Sequence, residues 1–277
     1  MSQSLESNTL TLHCYRRTNR SYTEDLGNGV KLTLMLIPAG EFLMGAPEDE
    51  PESDDDERPQ HLVNVPQFLM GRYPITQAQW RVVSGYPQIE RKLNPDPSRF
   101  KGDNRPVERV SWNDAQEFCQ RLSAQTGKDY RLPTEAQWEY GCRAGTKTPF
   151  HYGEIITAEI ANYRGTTTYN NGPKGEYREQ TIDVGMFPAN EWGLHDMHGN
   201  VWEWCEDDWH SDYEGAPNDG SAWVETDRES TNRLLRGGCW SYLPVYCRSA
   251  CRNNYSRVFR YDDLGFRVCC VPPRTFS

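Results

Sequence analysis

Thiols, imidazoles and carboxylates are the side chains of this chain that could hold a metal or attack a substrate, and their spacing narrows the chemistry. Nine cysteines run from Cys14 to Cys270. No two form the Cys-X-X-Cys pair that holds zinc or cycles a disulfide. The adjacent Cys269 and Cys270 are poorly placed to share one ion. The nine are therefore expected to be reduced thiols, several of them buried as small apolar groups. Six histidines include one close pair, His195 and His198. The densest acidic run, Glu48 to Glu57 (EDEPESDDDE), has the oxygen ligands of a calcium loop. Its charge reads more simply as a solvated surface loop that favours solubility.

A loop-rich scaffold must position these groups. Only 36% of residues are hydrophobic, yet there are 9 Trp, 15 Tyr and 9 Phe, with 22 Gly and 18 Pro. Few aliphatics and many rings imply short strands and packed loops, because each ring buries a large area. Alternation predicts a strand pair across Val30 to Met44, split by a turn before Gly40, and further strands over 61–65 and 67–70. Thr76 can cap a short helix that buries Trp80. A second helix starts at Ser111 or Asn113. It carries Ala115, Phe118, Cys119 and Leu122 on one face and ends at Gly127. A third follows Pro133-Thr134, with Trp138 and Cys142 four apart, and no helical period continues beyond Ala144. Residues 1–29 are polar and read as a tail or an edge strand. Residues 30–277 read as a single α+β domain without linker or repeat.

Composition also excludes partners. A formal charge of −10 argues against nucleic acid and against an anionic membrane surface. No apolar run approaches the roughly 20 residues of a membrane span. The start, MSQSLESNTL, lacks the basic and apolar regions of a secretory signal, so the expected location is cytoplasmic.

Ordered motifs are more specific than composition. They comprise Pro38-Ala39-Gly40-Glu41-Phe42 with Met44-Gly45, Pro106-Val107 through Val110-Ser111-Trp112, and Arg131-Leu132-Pro133-Thr134-Glu135-Ala136-Gln137-Trp138-Glu139-Tyr140. Gly193 to Trp204 (GLHDMHGNVWEW), Leu235-Arg236-Gly237-Gly238 and Gly265-Phe266-Arg267-Val268 follow. From about Leu34 to Cys270 the chain resembles the formylglycine-generating-enzyme, or sulfatase-modifying-factor, family. The resemblance implies an α+β, C-type-lectin-like fold with little regular secondary structure, two main helices and short twisted sheets.

Catalytic members of that family oxidise a sulfatase cysteine to formylglycine, using oxygen and copper(I) between two thiolates. Aligned on Arg236-Gly237-Gly238, the second thiol position is Cys247 and the first is Tyr242, which cannot replace a thiolate. Cys239 and Cys251 flank the site out of register. Cys247 is thus the one catalytic candidate, under an oxidase alternative that alone needs copper. An iron-dependent sulfoxide synthase branch takes three histidines from an added helical domain; the only close pair among the six here, His195 and His198, lies inside another motif. The resemblance also implies structural calcium held by the Asp196 and Glu203 carboxylates with the Gly199 and Val201 carbonyls. A second such site would begin near Asn162 and Tyr163.

The segment 239–263 resembles the variable region of proteins diversified by retroelements, in which template adenines are miscopied and Asn codons become any codon ending in a pyrimidine. Such codons cannot encode Lys, Glu, Gln, Met or Trp. None of these occurs at Ser241, Tyr242, Leu243, Val245, Tyr246, Cys251, Asn253, Asn254, Tyr255, Ser256, Val258, Phe259, Tyr261, Asp262 or Asp263. The five types fill about a fifth of the chain, so their absence from these places has a chance on the order of a few percent. Cys239 is reachable from Ser by the same route. Trp240, Pro244, Arg248, Arg252, Arg257 and Arg260 read as framework. Tyr, Asn, Ser and Asp are the residues of adaptable binding surfaces. The expectation is a non-catalytic protein that presents these sixteen side chains outward to a protein or other macromolecule. Tyr242, Tyr246, Tyr255, Phe259 and Tyr261 would anchor it, and Asp262 and Asp263 would favour a basic partner. The alternatives are the copper oxidase with Cys247 and an accessory domain with one fixed protein partner.

Overall fold

The computed structural model describes residues 11, 13, 15–227 and 231–272. Cys14 lies outside them. The chain forms fourteen regular elements among the described residues: β1 (Ser21–Gly27), β2 (Val30–Ile37), β3 (Gly40–Met44), β4 (His61–Val65), β5 (Phe68–Gly71), α1 (Gln77–Ser84), α2 (Trp112–Thr126), β6 (Tyr130–Arg131), α3 (Glu135–Arg143), β7 (Trp202–Asp208), β8 (Asn232–Arg236), β9 (Arg252–Ser256), β10 (Leu264–Gly265) and β11 (Cys269–Cys270). The α+β class and its curled short sheets are as expected, with three helices where the resemblance implied two main ones. No described helix is long and apolar enough to cross a membrane.

Each helix begins where a hydroxyl can cap it. Thr76, Ser111 and Thr134 accept from the third backbone N–H, while Gln79, Asp114 and Gln137 reach back to the cap. Ser111, not Asn113, therefore starts α2, and Gly127 ends it in a left-handed conformation at φ 68°. The face Ala115, Phe118, Cys119 and Leu122 is fully buried. Phe118 stacks on Trp80 of α1 at 5.6 Å and meets Phe266 edge-on at 5.2 Å.

Strand pairing departs from the local reading. A five-stranded sheet runs β1-β2-β5-β11-β6, a four-stranded one β10-β7-β8-β9, and β3 pairs only with β4. Val30 to Met44 thus holds two strands, but they lie in different sheets and do not pair with each other. Alternation specifies a strand's faces and leaves its partner open. β1 lies at the edge of the larger sheet, so residues 21–27 belong to the domain and not to a tail. The C-terminal strand β11 slots between β5 and β6 and ties the end of the chain to its beginning. In the smaller sheet β9 is the edge strand beside β8, and this edge carries the segment of interest.

Most of the acidic run is solvated as expected, with Glu48, Asp49, Glu52, Asp54 and Asp55 exposed, but Glu50 and Glu57 are buried. Both grip Arg248, nearly two hundred residues away in sequence. A buried carboxylate is tolerated when a cation and further hydrogen bonds compensate it.

Candidate binding face

Buried arginines hold the backbone of residues 239–263 from beneath. Arg236, at the end of β8, donates to the Ser249 and Ala250 carbonyls at 2.7 and 2.8 Å and pairs with Glu135 and Glu139 of α3. Arg252 binds the Glu135 carboxylate at 2.7 and 3.2 Å and the Asp56 carbonyl at 2.6 Å. Arg248 is clamped by Glu57 at 2.5 and 2.7 Å, by Glu50 at 2.6 Å and by the Glu52 carbonyl at 3.1 Å. Charge-assisted forks of this kind fix orientation as well as distance. Gly238, at φ +71°, lets the chain lie on the 3-10 turn Pro244–Cys247: a Cβ there would stand 2.5 Å from Cys247 Sγ and 2.8 Å from the Tyr246 carbonyl oxygen.

Above this frame the expected anchors form one connected array. Tyr246 packs edge-on against Tyr242 at 5.3 Å, and Tyr242 stands perpendicular to buried Trp202 at 5.6 Å. The Tyr242 and Tyr255 hydroxyls share a hydrogen bond of 3.1 Å. Tyr255, Phe259 and Tyr261 then contact one another pairwise at 5.5 to 5.9 Å. The outer rim is the more accessible part: Phe259 is 40% exposed, Tyr261 47% and Val258 51%. Asn254 accepts from Asn232 at 2.7 Å, and Asn253 caps the Asn254 N–H at 2.8 Å.

Thirteen of the sixteen expected contact residues are half-buried or exposed. Cys239, Cys251 and Asp263 are corrections, at 0, 2 and 9% exposure. They face inward because the chain turns over the core at these points. Cys239 Sγ lies 3.2 Å from Ser241 Oγ and 3.6 Å from the Asp263 carboxylate. Asp263 is raised to about 6, chiefly by burial. Asp262 is at the surface but paired with Arg99. The acidic character expected to draw a basic partner is therefore not on offer.

The donor set does not fit copper(I). Cys247 is fully buried, packed with Phe150, Tyr163 and Tyr169, and burial pushes its thiol far up, with Cys251 and Cys142 adding to the effect. Burial likewise raises Cys239 and Cys251. A soft ion needs thiolates, and these sites favour thiols. Tyr242, at the other family position, spends its hydroxyl on Tyr255. Among the described residues no three His, Cys, Asp or Glu side chains gather to hold a metal. Iodoacetamide at neutral pH is accordingly expected to leave Cys239, Cys247 and Cys251 unmodified in the folded protein and to modify all three in denaturant, read by peptide mass spectrometry. Rapid labelling of folded Cys247 would reverse that conclusion.

The two carboxylates expected to hold calcium have partners within the protein. Both Glu203 oxygens are taken by buried Arg267, at 2.6 and 2.7 Å, and Trp138 Nε1 donates to one of them at 2.9 Å. Asp196 accepts from the Gly185 N–H at 2.8 Å and is raised to about 6 by burial. Asp196 and Gly199 border a cavity of about 10 Å³ whose walls include neither Glu203 nor Val201. The Asn162 side chain beside it donates to the Gln180 carbonyl and to Asn200. His198 belongs to this frame: its Nδ1 lies 2.7 Å from the Cys247 carbonyl oxygen, and its Nε2 accepts from the His151 N–H at 3.1 Å. Those contacts specify the neutral Nδ1–H tautomer.

Sequence reasoning missed the cationic margin of the face. Lys92, Lys101, Arg109 and Arg260 line a cleft of about 550 Å³ with Asp96 and Asp114. Arg260 was read as framework beside Tyr261, but no motif marks Lys92, Lys101 or Arg109, which only the fold brings there.

Comparison with known proteins shows the family and the fold. The profile of the sulfatase-modifying factor enzyme 1-like domain matches residues 28–271. Hercynine oxygenase of Mycolicibacterium smegmatis is 30% identical over 87% of this chain and 61% of its own length, so the chain spans about six-tenths of that relative. The structure of PvdO from Pseudomonas aeruginosa superposes with a TM-score of 0.77 and 34% identity, over 93% of this chain and all of that one. Variable protein 1 of Treponema denticola superposes at 0.74 with 26% identity, over 92% of this chain and all of that one. With the motifs, the fold and the match over nearly its whole length in agreement, the chain belongs to the sulfatase-modifying factor enzyme 1-like domain family.

Proposed function

We propose that this chain is a non-catalytic binding protein whose C-terminal segment is diversified and displayed for ligand recognition. The observation that carries the reading is the connected array of Tyr242, Tyr246, Tyr255, Phe259 and Tyr261 at the surface, held from below by Arg236, Arg248 and Arg252. Rigid rings supply contact area at small entropic cost, and a fixed backbone lets side chains vary without unfolding the scaffold. Likeness to the variable protein of Treponema denticola supports it. Sugar binding does not follow from a C-type-lectin-like fold, because function belongs to the site.

A second reading, oxidation of sulfatase cysteines to formylglycine, has one observation in its favour: Cys247 occupies the family's second thiol position. The buried, protonated thiols and Tyr242 weigh against it.

The deciding experiment is to sequence the DNA flanking the gene. The expected result is an untranslated copy of the stretch encoding residues 236–270 that differs only where the copy has adenine, mostly at Asn codons. Absence of such a copy removes diversification and leaves the accessory domain with one fixed partner and the oxidase, which a copper- and oxygen-dependent assay on Cys247 separates.

A further inference from the structure

The electrostatics of the face select the chemistry of its partner. The chain as a whole carries 40 acidic against 30 basic side chains. Beside the aromatic array that balance is reversed. The cleft next to it has four cations, Lys92, Lys101, Arg109 and Arg260, against two carboxylates, Asp96 and Asp114. Arg260 is forked on Asp114 at 2.7 and 2.9 Å, and Lys101 pairs with Asp96 at 2.8 Å. Both carboxylates are thereby spent. Lys92 and Arg109 have no ion-pair partner among the described residues, and both are exposed. The Arg109 N–H donates to the Tyr261 carbonyl at 2.9 Å, so the cleft and the rings share an edge. On the same edge Arg99 neutralises Asp262.

We infer that the partner is an acidic protein segment, which lays an apolar or aromatic side chain on Tyr255, Phe259 and Tyr261 and directs a carboxylate into the cleft at Lys92 and Arg109. This rests on the binding-face reading above and adds the partner's charge. A cleft with an excess of one sign of charge on a protein of the opposite net sign attracts its ligand locally while the rest of the surface repels it. That repulsion also limits long polyanions such as nucleic acid, whose contacts extend well past a single cleft. A short acidic stretch on a protein meets only the cationic margin.

The test uses the full chain, immobilised, and a phage-displayed library of random peptides as the probe. Recovered peptides are expected to be enriched in Asp and Glu and to weaken as salt is raised. Their affinity should fall roughly tenfold or more against Lys92→Glu/Arg109→Glu, a variant changed only at exposed positions. Peptides without acidic enrichment, which keep their affinity on the reversed cleft but lose it on Phe259→Ala/Tyr261→Ala, would overturn the inference while leaving the binding face intact. Peptides indifferent to both variants would overturn both. Tighter capture of single-stranded DNA than of acidic peptides through Lys92 and Arg109 would also overturn it, in favour of a polyanion site. Thermal melting of each variant separates loss of contact from loss of fold.

Discussion

Glu57→Gln is expected to lower stability by about 3–5 kcal/mol, the cost of leaving a buried cation without its principal partner. The Arg248 side chain is fully buried, and Glu57 meets it through both oxygens at 2.5 and 2.7 Å. Glutamine keeps the shape and one acceptor but removes the charge. Glu50 cannot make up the difference, because it reaches Arg248 through one oxygen only, at 2.6 Å, and its other oxygen has no hydrogen-bond partner among the described residues. Two controls isolate the cause. Glu48→Gln, in the same acidic run but exposed, should change stability by no more than about 0.5 kcal/mol. Glu57→Gln combined with Arg248→Met should recover part of the loss, since removing both partners leaves no buried charge unpaired. Urea melts of the parent, Glu57→Gln, Arg248→Met and the double variant complete the cycle, with Glu48→Gln as the exposed control. If Glu57→Gln melts like the parent, the clamp is not what holds the acidic loop to the C-terminal segment. If it destabilises as expected, the same variant should also weaken peptide capture by the face, because Arg248 directly follows the turn that carries Tyr246.

How far the sequence carried this picture depends on the range of the interaction. Helix α2 was legible because everything that specifies it is local: Ser111 and Asp114 cap it, Ala115 to Leu122 face the core, and Gly127 stops it. The family motifs were legible for the same reason. Strand partners were not, because the alternation over Val30 to Met44 is the same whether β2 meets β3 or, as it does, β1 and β5. The acidic run was legible as a mostly solvated loop, but its two buried members were not, because Arg248 lies 191 residues from Glu57. Glu203 is the matching case: its neighbours in sequence suggest a calcium turn, and its neighbour in space is Arg267. Within 239–263 the codon argument marked the positions expected to vary but not which way they point. Cys239, Cys251 and Asp263 turn inward where the chain passes over the core, a property of the path and not of residue type. The aromatic members of the array were legible one by one. Their contact with each other, and the cations of a distant loop beside them, were not.

A buried carboxyl next to the cleft residue Arg109 carries the second large expected effect, and it runs opposite to the first: Glu108→Gln should stabilise the protein above about pH 7. Glu108 is fully buried next to Arg109. Its Oε1 accepts the Phe100 N–H at 2.8 Å, while its Oε2 has no hydrogen-bond partner among the described residues. Burial above all, with Asp262 adding, raises its carboxyl from 4.5 to about 7 against the pull of backbone N–H groups and Arg109. The folded protein therefore holds this proton more tightly than the unfolded chain does. The favourable contribution is complete below the unfolded value of 4.5 and is lost as pH rises through about 7. Converted at about 1.4 kcal/mol per pH unit, the whole swing is about 3 kcal/mol. Glutamine keeps the acceptor for Phe100 and cannot ionise, so it should match the parent near the acid end of that window and exceed it by up to about 3 kcal/mol on the alkaline side. Other buried carboxyls, such as Asp207 and Asp196, also bend the parent's pH curve, but they bend the variant's equally. The difference between the two curves is the quantity to read. A difference that rises with pH assigns the swing to Glu108, and a flat one means that this carboxyl stays ionised in the fold with its charge met by Arg109.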